Sequence, residues 1–330
     1  MVTVALVRVE DEAVEQAVRE AVSLAGGLPS SVCPGATVLI KPNVVAPWPS
    51  GTGHITDARV TEAVTRLVLE RNPTRVVIGE GSSVGYDFRG LKDTMECLEV
   101  SGTAAVARRL GVELVDLNAD EVVEVRAPDA YVMPTFGLAR TAHEADVIID
   151  LPVVKTHVRT GITCGLKNMK GVLPGREKKR THRMGLDRGI VDLNRIVRPA
   201  FTVVDAIVGM EATHKYPEDC VRLGCVLAGA DVVAVDTVCA TMMGFDVADI
   251  HHIQLASEAG LGEANLARIN VRGVPLAQVR RRFRTFHEAA QDRWGAAKVI
   301  EKDACTGCMG EMISLFIYLR EAGFADRLGE

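Results

Sequence analysis

Apolar positions along the chain fall into two alternating patterns. Short runs rich in Val, Ile and Leu recur over 3–9, 37–41, 75–79, 113–117, 145–154, 201–206 and 223–228, and a weaker one covers 267–271. Between them, apolar residues repeat at three- and four-residue spacing over 12–24, 58–71, 95–110, 189–197, 231–243 and 250–260. The first pattern predicts buried strands and the second amphipathic helices. Strands alternating with helices predict an α/β fold, a mostly parallel sheet flanked by helices. A length of 330 residues fits one large domain or two lobes with a site between them, since domains run to about 150 residues. The α/β unit is expected over 1–275, with a lobe split near 133–189. A helical extension follows over 276–330, basic and amphipathic over 276–292 and carrying a Cys-x-x-Cys pair ahead of a helix at 310–322.

The strand at 145–154 (ADVIIDLPVV) is interrupted only by acids, as in a strand covered on both faces. It runs into LPVVKTHVRTGITCGLKNMKG, which sets Lys155, His157, Arg159, Cys164, Lys167, Asn168 and Lys170 beyond an apolar element. Ligands in open α/β sheets bind past the carboxyl ends of the strands, so this set reads as an anion pocket. Gly161, Gly165 and Gly171 let the backbone come close to a ligand. Two more strand ends feed the same edge if the strands are parallel. One is Lys41, Pro42 and Asn43, opening a long loop over 44–56; the other is Glu80 within the glycine-rich GEGSSVGYDF, whose amides suit an anion. No nucleotide-loop spacing is present, which counts against a ligase or kinase. Asp205 and Asp236 are candidates for orienting a cation or a lysine, and Asp231 reads as a helix N-cap. The run REKKRTHR at 176–183 reads as a solvated loop or as a lid over the pocket.

Composition narrows the classes. Hydrophobic content of 48% with 25% charged residues describes a globular protein, and a net charge of −5 argues against a nucleic-acid binder. No apolar run reaches the roughly 18 residues of a membrane span, and the N-terminus lacks a basic leader, so the expected location is cytoplasmic. Eight cysteines in such a chain read as buried thiols or metal ligands rather than disulfides. Cys97 and Cys239 fall in helical core patterns. Cys305 and Cys308 suit a metal or cluster but supply two ligands where four, or three with an open position, are needed; Cys164 and Cys220 are the candidates to complete the set. The readings open to the Cys305/Cys308 pair are an iron–sulfur cluster, most simply four-iron, a zinc ion, a dithiol pair or no metal role.

In order, VLIKPNVV, VVIGEGS, LPVVKTH, GITCGLKNMKG, FTVVDAIVGME and LAGADVVAVDTVCATMMGF resemble the bacterial and archaeal domain-of-unknown-function family 362 over most of 35–275. The resemblance implies the α/β fold, a pocket and a link to iron–sulfur chemistry, because many members carry a ferredoxin-like cysteine module. That module is absent here beyond the single Cys-x-x-Cys, and a glycine-rich turn of the relatives is replaced by ATHKYPEDC. The leading expectation is an iron–sulfur-dependent oxidoreductase or lyase that holds a small anionic substrate with Lys41, Lys155, Lys167 and Lys170 and uses the cluster for reduction or elimination, with His157 or His182 as proton donor. The rival is an electron-transfer or ligand-binding protein serving a redox partner without turnover. A homodimer is the base-rate expectation.

Overall fold

The computed structural model describes residues 1–83, 93–212, 214, 217–294 and, beyond these, 312, 315–316, 318–319 and 322–324. Cys305 and Cys308, and the second half of the GEGSSVGYDF segment, lie outside them.

Twelve strands are described: β1 (Val2–Arg8), β2 (Thr37–Pro42), β3 (Arg75–Glu80), β4 (Glu113–Asp116), β5 (Val122–Arg126), β6 (Thr135–Ala139), β7 (Val147–Leu151), β8 (Val153–His157), β9 (Gly161–Thr163), β10 (Phe201–Met210), β11 (Cys220–Gly229) and β12 (Ile269–Gly273). Ten share one sheet, ordered β12-β1-β11-β10-β7-β2-β3-β4, with β8 joined to β10 and β9 to β8. Neighbours pair in parallel except at β1/β11, β11/β10 and β8/β9. The fold is α/β, with a mostly parallel sheet. A separate hairpin, β5–β6, escapes the sequence reading.

Continuous apolar runs become strands here because both sheet faces are covered. Val38 and Ile40 of β2 pack with Ile149 and Val203 against helices α1 (Val14–Leu24) and α2 (Ala58–Leu69), while Leu39 joins Val77 and Ile148 on the opposite face. Burying each such side chain contributes about 1.5–3 kcal/mol. Period-two alternation puts Lys41 on the Leu39 face, so a lysine is carried into the core by the register that buries its neighbours.

Several predicted elements are corrected. The 145–154 strand breaks at Pro152, which has no N–H for a ladder; β7 ends before it, and β8 swings over to pair with β10 and β9. Lys155 and His157 therefore stand on a strand rather than in a loop. The basic run is a helix, Gly175–Met184, favoured by its straight-chain residues and ended at Gly185, whose φ is 117°. The 95–110 helix is split into α3 (Thr94–Val100) and α4 (Thr103–Leu110) at Gly102, φ 80°. β10 runs on to Met210, so Asp205 lies mid-strand. Over 276–292, one helix, Phe286–Trp294, follows a short turn.

Candidate functional site

The carboxyl ends of β2, β3 and β8 converge as the parallel arrangement requires, and with the 163–182 segment they enclose a cavity of about 290 Å3. Lys155, His157, Lys167 and Lys170 line it, together with Asn43, Glu80, Asn168 and His182. Lys178 and His214 complete the basic lining, and Ser82, Thr163 and Gly171 the small polar part.

Lys41 does not face the cavity as a free cation. It is fully buried, and its Nζ donates to Glu80 Oε2 at 2.8 Å. Glu80 also accepts from the amides of Gly81 (2.8 Å) and Val44 (3.3 Å). The Gly171 backbone passes directly against this pair, and a Cβ there would collide with the Glu80 carboxylate and the Lys41 ammonium.

From Lys155 a directional chain of hydrogen bonds leads inward. Lys155 Nζ donates to Asn43 Oδ1, Asn43 Nδ2 to Asn168 Oδ1 and Asn168 Nδ2 to Asp150 Oδ1, each at 2.7 Å. Asp150 accepts at the end of the chain, which orients both amides. It is fully buried, beside Lys41 in the β2/β7 register, and burial pushes its carboxyl well above the usual range. Lys155 Nζ also donates to the His54 carbonyl at 2.7 Å, so the 44–56 loop closes over it. Trp48 stacks on the His54 ring at 4.1 Å, and His54 Nε2 donates to the His214 carbonyl at 3.0 Å.

Among the described residues, no carboxylate stands within ion-pair distance of Lys155, Lys167 or Lys170. Burial, aided by Lys167, lowers Lys155 to about 7. Burial lowers Lys167 to about 8 and brings Lys170 well below the ordinary lysine value, with Lys167 and Lys178 adding to the latter. The histidines are neutral for the same reason: burial and nearby lysines hold His182 at about 2, His214 at about 3 and His157 well below its usual value. His157 Nδ1 accepts from the Thr160 amide at 3.2 Å, which leaves the ring proton on Nε2. Lys170 Nζ lies 2.8 Å from His182 Nε2.

Besides Lys41, three residues predicted to bind substrate stand outside the cavity lining. Arg159 is exposed in the β8–β9 turn and reaches the site through its amide, 3.3 Å from His157 Nδ1. Asp205 accepts from the amides of Asp57 (2.7 Å) and Ile207 (3.0 Å), tying the 44–56 loop to β10. Asp236 lies in the helix Val232–Met242 and accepts from the amides of Gly165 (2.7 Å) and Leu166 (3.0 Å), capping the short helix Gly165–Asn168 that carries Lys167. Asp231 is the N-cap expected, accepting from Ala234. Sequence reasoning passed over Asp150, Lys178, Thr163 and His214. Read as a helix, 175–184 would have placed Lys178 and His182 one turn apart on one face.

A cluster needs its thiolates gathered in one ligand sphere, and the two described candidates, Cys164 and Cys220, are not gathered so. Cys164 is fully buried beside Cys239 and Asp236, and burial pushes its thiol well up. Cys220 lies elsewhere, at the foot of β11, its thiol 3.4 Å from the Thr52 carbonyl and also raised by burial. The two are not brought together: Cys164 belongs to the core on one sheet face, and Cys220 packs against the core on the other. Among the described residues, no group of three or more His, Cys, Asp or Glu residues is placed to hold a metal ion. No described helix is long and apolar enough to cross a membrane.

Known proteins bear on this arrangement at different depths. The structure overlaps a lactate racemase apoprotein from Thermoanaerobacterium thermosaccharolyticum with a TM-score of 0.44 and 14% identity, covering 74% of this chain and 57% of that one. A Thermotoga maritima protein gives 0.42 and 14%, covering 75% and 59%. This chain thus spans less than two thirds of either structure, and likeness at this level carries no functional argument. A thylakoid-associated protein of Synechocystis sp. is 28% identical over 242 residues, 72% of each chain. The family model described as "Domain of unknown function (DUF362)" matches residues 38–241, and the chain belongs to that family.

Proposed function

We propose that the protein is an enzyme acting on a small anion held in the 290 Å3 cavity, with Lys155 as the group that gives and takes the proton. The observation that carries this reading is the set Lys155, Lys167 and Lys170, two buried amines and one half-buried, facing one cavity without a carboxylate partner among the described residues. Burying unpaired cations costs several kcal/mol each in effective terms. A ligand that supplies the missing charge recovers that cost, so a carboxylate, sulfate or phosphate group fits and a cation does not. An amine titrating near neutral pH is matched to acid–base work at that pH. Calorimetric titration with sulfate, phosphate and acetate tests the anion site. Saturable one-site binding that weakens at least tenfold in Lys167→Met supports it; no heat with any of the three, or binding unchanged in the variant, removes it.

The redox part of the expectation rests on a separate observation, the Cys305-x-x-Cys308 pair, and no step above runs through it. Iron and acid-labile sulfide in protein purified without oxygen, lost together in Cys305→Ser, would support a cluster there. Protein free of both would leave the lysine chemistry alone.

A further inference from the structure

We infer that Lys155 is also a nucleophile, and that its amine condenses with the carbonyl of a small 2-oxo acid whose carboxylate is held by Lys167 and Lys170. The inference rests on the anion-pocket reading and names the substrate class for it.

A neutral amine has two N–H donors and one lone pair. At Lys155 the two donors are already assigned: Asn43 Oδ1 and the His54 carbonyl each accept at 2.7 Å. Among the described residues, no third acceptor takes what would be the third N–H of an ammonium. The remaining tetrahedral direction is the lone pair, on a side chain that lines the cavity and is only 5% exposed. The acceptors are themselves fixed. Asn43 is locked through Asn168 to Asp150, and the His54 peptide sits in a loop held by Thr56, whose hydroxyl donates to the Leu151 carbonyl at 2.6 Å and accepts from the Asn43 amide at 2.9 Å. The amine is thus presented in one orientation rather than swinging on a flexible stem, which is how positioning lowers a barrier.

The surroundings suit such a role. Desolvation and cationic neighbours are the usual means of keeping a lysine unprotonated and nucleophilic, and burial and Lys167 do so here. His157, two residues on along β8 and so on the same strand face, lines the cavity with its proton on Nε2, a neutral donor suited to polarising a carbonyl oxygen. Lys167 and Lys170 meet a carboxylate on the far side of that carbonyl. Thr163, opposite Lys155 in the β8–β9 register, accepts from Lys167 Nζ at 3.2 Å and keeps that cation on the cavity wall.

The chemistry balances without oxidant or reductant. The Lys155 nitrogen forms a bond to the carbonyl carbon while the C=O π bond opens; the oxygen then leaves as water, taking the two amine hydrogens, and a C=N bond remains. The imine acts as an electron sink for bonds at the neighbouring carbon, and Glu80 is not required because it is occupied by Lys41.

The test is reductive trapping on the full-length protein. Protein is incubated with pyruvate, oxaloacetate or 2-oxoglutarate, treated with sodium borohydride, and examined by intact mass and peptide mapping, with binding of the same acids measured in parallel by calorimetry without borohydride. The expected result is a mass gain of one reduced adduct, mapped to Lys155 and lost in Lys155→Arg. Saturable binding without an adduct, or an adduct mapped to another lysine, overturns the nucleophile and leaves the anion pocket standing. Absence of both binding and adduct with all three acids overturns the inference, and the sulfate titration then decides the pocket separately.

Discussion

Anion binding to this pocket must be coupled to protons, with a sign and size that follow from the lysines. At pH 7.5 an amine titrating at about 7 carries about 0.24 of a proton and one titrating at about 8 about 0.76, the values for Lys155 and Lys167 in the free protein. A bound sulfate supplies negative charge within reach of both and raises both values. If both become fully protonated, the pocket takes up (1 − 0.24) + (1 − 0.76), or about one proton, per sulfate bound. Lys170, also held well below its usual value, adds to this sum. By linkage, uptake of about one proton means that affinity falls about tenfold for each unit of pH increase around 7.5. The assay is sulfate titration in buffers of different ionisation enthalpy, since uptake makes the observed heat depend on the buffer. Sulfate is the chosen anion because it does not itself titrate near neutral pH. Lys167→Met is expected to lose roughly a quarter of a proton directly, and to raise Lys155 by removing a neighbouring cation, so total uptake falls further. Heat independent of buffer, or affinity that rises with pH, would refute the claim that these amines lie uncharged and unpaired.

Three further outcomes follow. Gly171→Ala places a methyl group against the Lys41–Glu80 pair and should abolish sulfate binding, whereas Gly175→Ala, whose Cβ would meet nothing within 4 Å, should bind as the parent does in the same titration. Glu80→Gln leaves the fully buried Lys41 without its carboxylate and should cost about 3–5 kcal/mol in urea unfolding, the usual penalty for breaking a buried pair. The free protein should gain stability as pH rises from about 7 towards 10.5: the unfolded lysine keeps its proton up to 10.5 while folded Lys155 releases it at about 7, so the unfolded state binds more protons across that window. A melting temperature that falls across the window, with Lys155→Met behaving identically, would contradict this.

The parts of the site legible in the sequence were those that depend on strand ends. Lys41, Glu80 and Lys155 each close or follow an apolar run, and parallel strands bring such ends to one edge whatever their separation along the chain. What stayed hidden depends on partners distant in sequence. Asp150 reads as an interruption in an apolar strand, and only the β2/β7 register and the Asn168 amide show why a carboxylate is tolerated there. Asp205 and Asp236 read as site acids because they stand near strand and helix ends, yet each is spent on two backbone amides that fix a neighbouring segment. Cys164 had the position of a ligand in the pocket segment, and its contacts with Cys239 and Asp236 are what turn it into a buried thiol. The 175–184 helix was masked by its charge: a run of cations looks solvated until one face, Lys178 and Thr181, is seen to be buried.

The layering of charge also sets how the two proposed roles of Lys155 interact. Acids stand in the cavity wall or behind it and are consumed there, Glu80 by Lys41 and two amides, Asp236 by two amides, and Asp150 by Asn168. The amines in front are left to be neutral when the pocket is empty and charged when an anion fills it. A charged Lys155 has no lone pair, so an anion without a carbonyl should suppress imine formation by protonating the nucleophile as well as by occupying space. A 2-oxo acid that sends its carboxylate to Lys167 and Lys170 leaves Lys155 facing the carbonyl and free of its proton. Two measurable consequences follow: before any reduction, pyruvate should take up fewer protons than sulfate, and sulfate should reduce borohydride trapping more at pH 7 than at pH 9, where an amine titrating at about 7 resists protonation more strongly and sulfate itself binds less tightly. Equal suppression at both pH values would mean that sulfate acts away from Lys155, and the two roles would have to be assigned to different lysines.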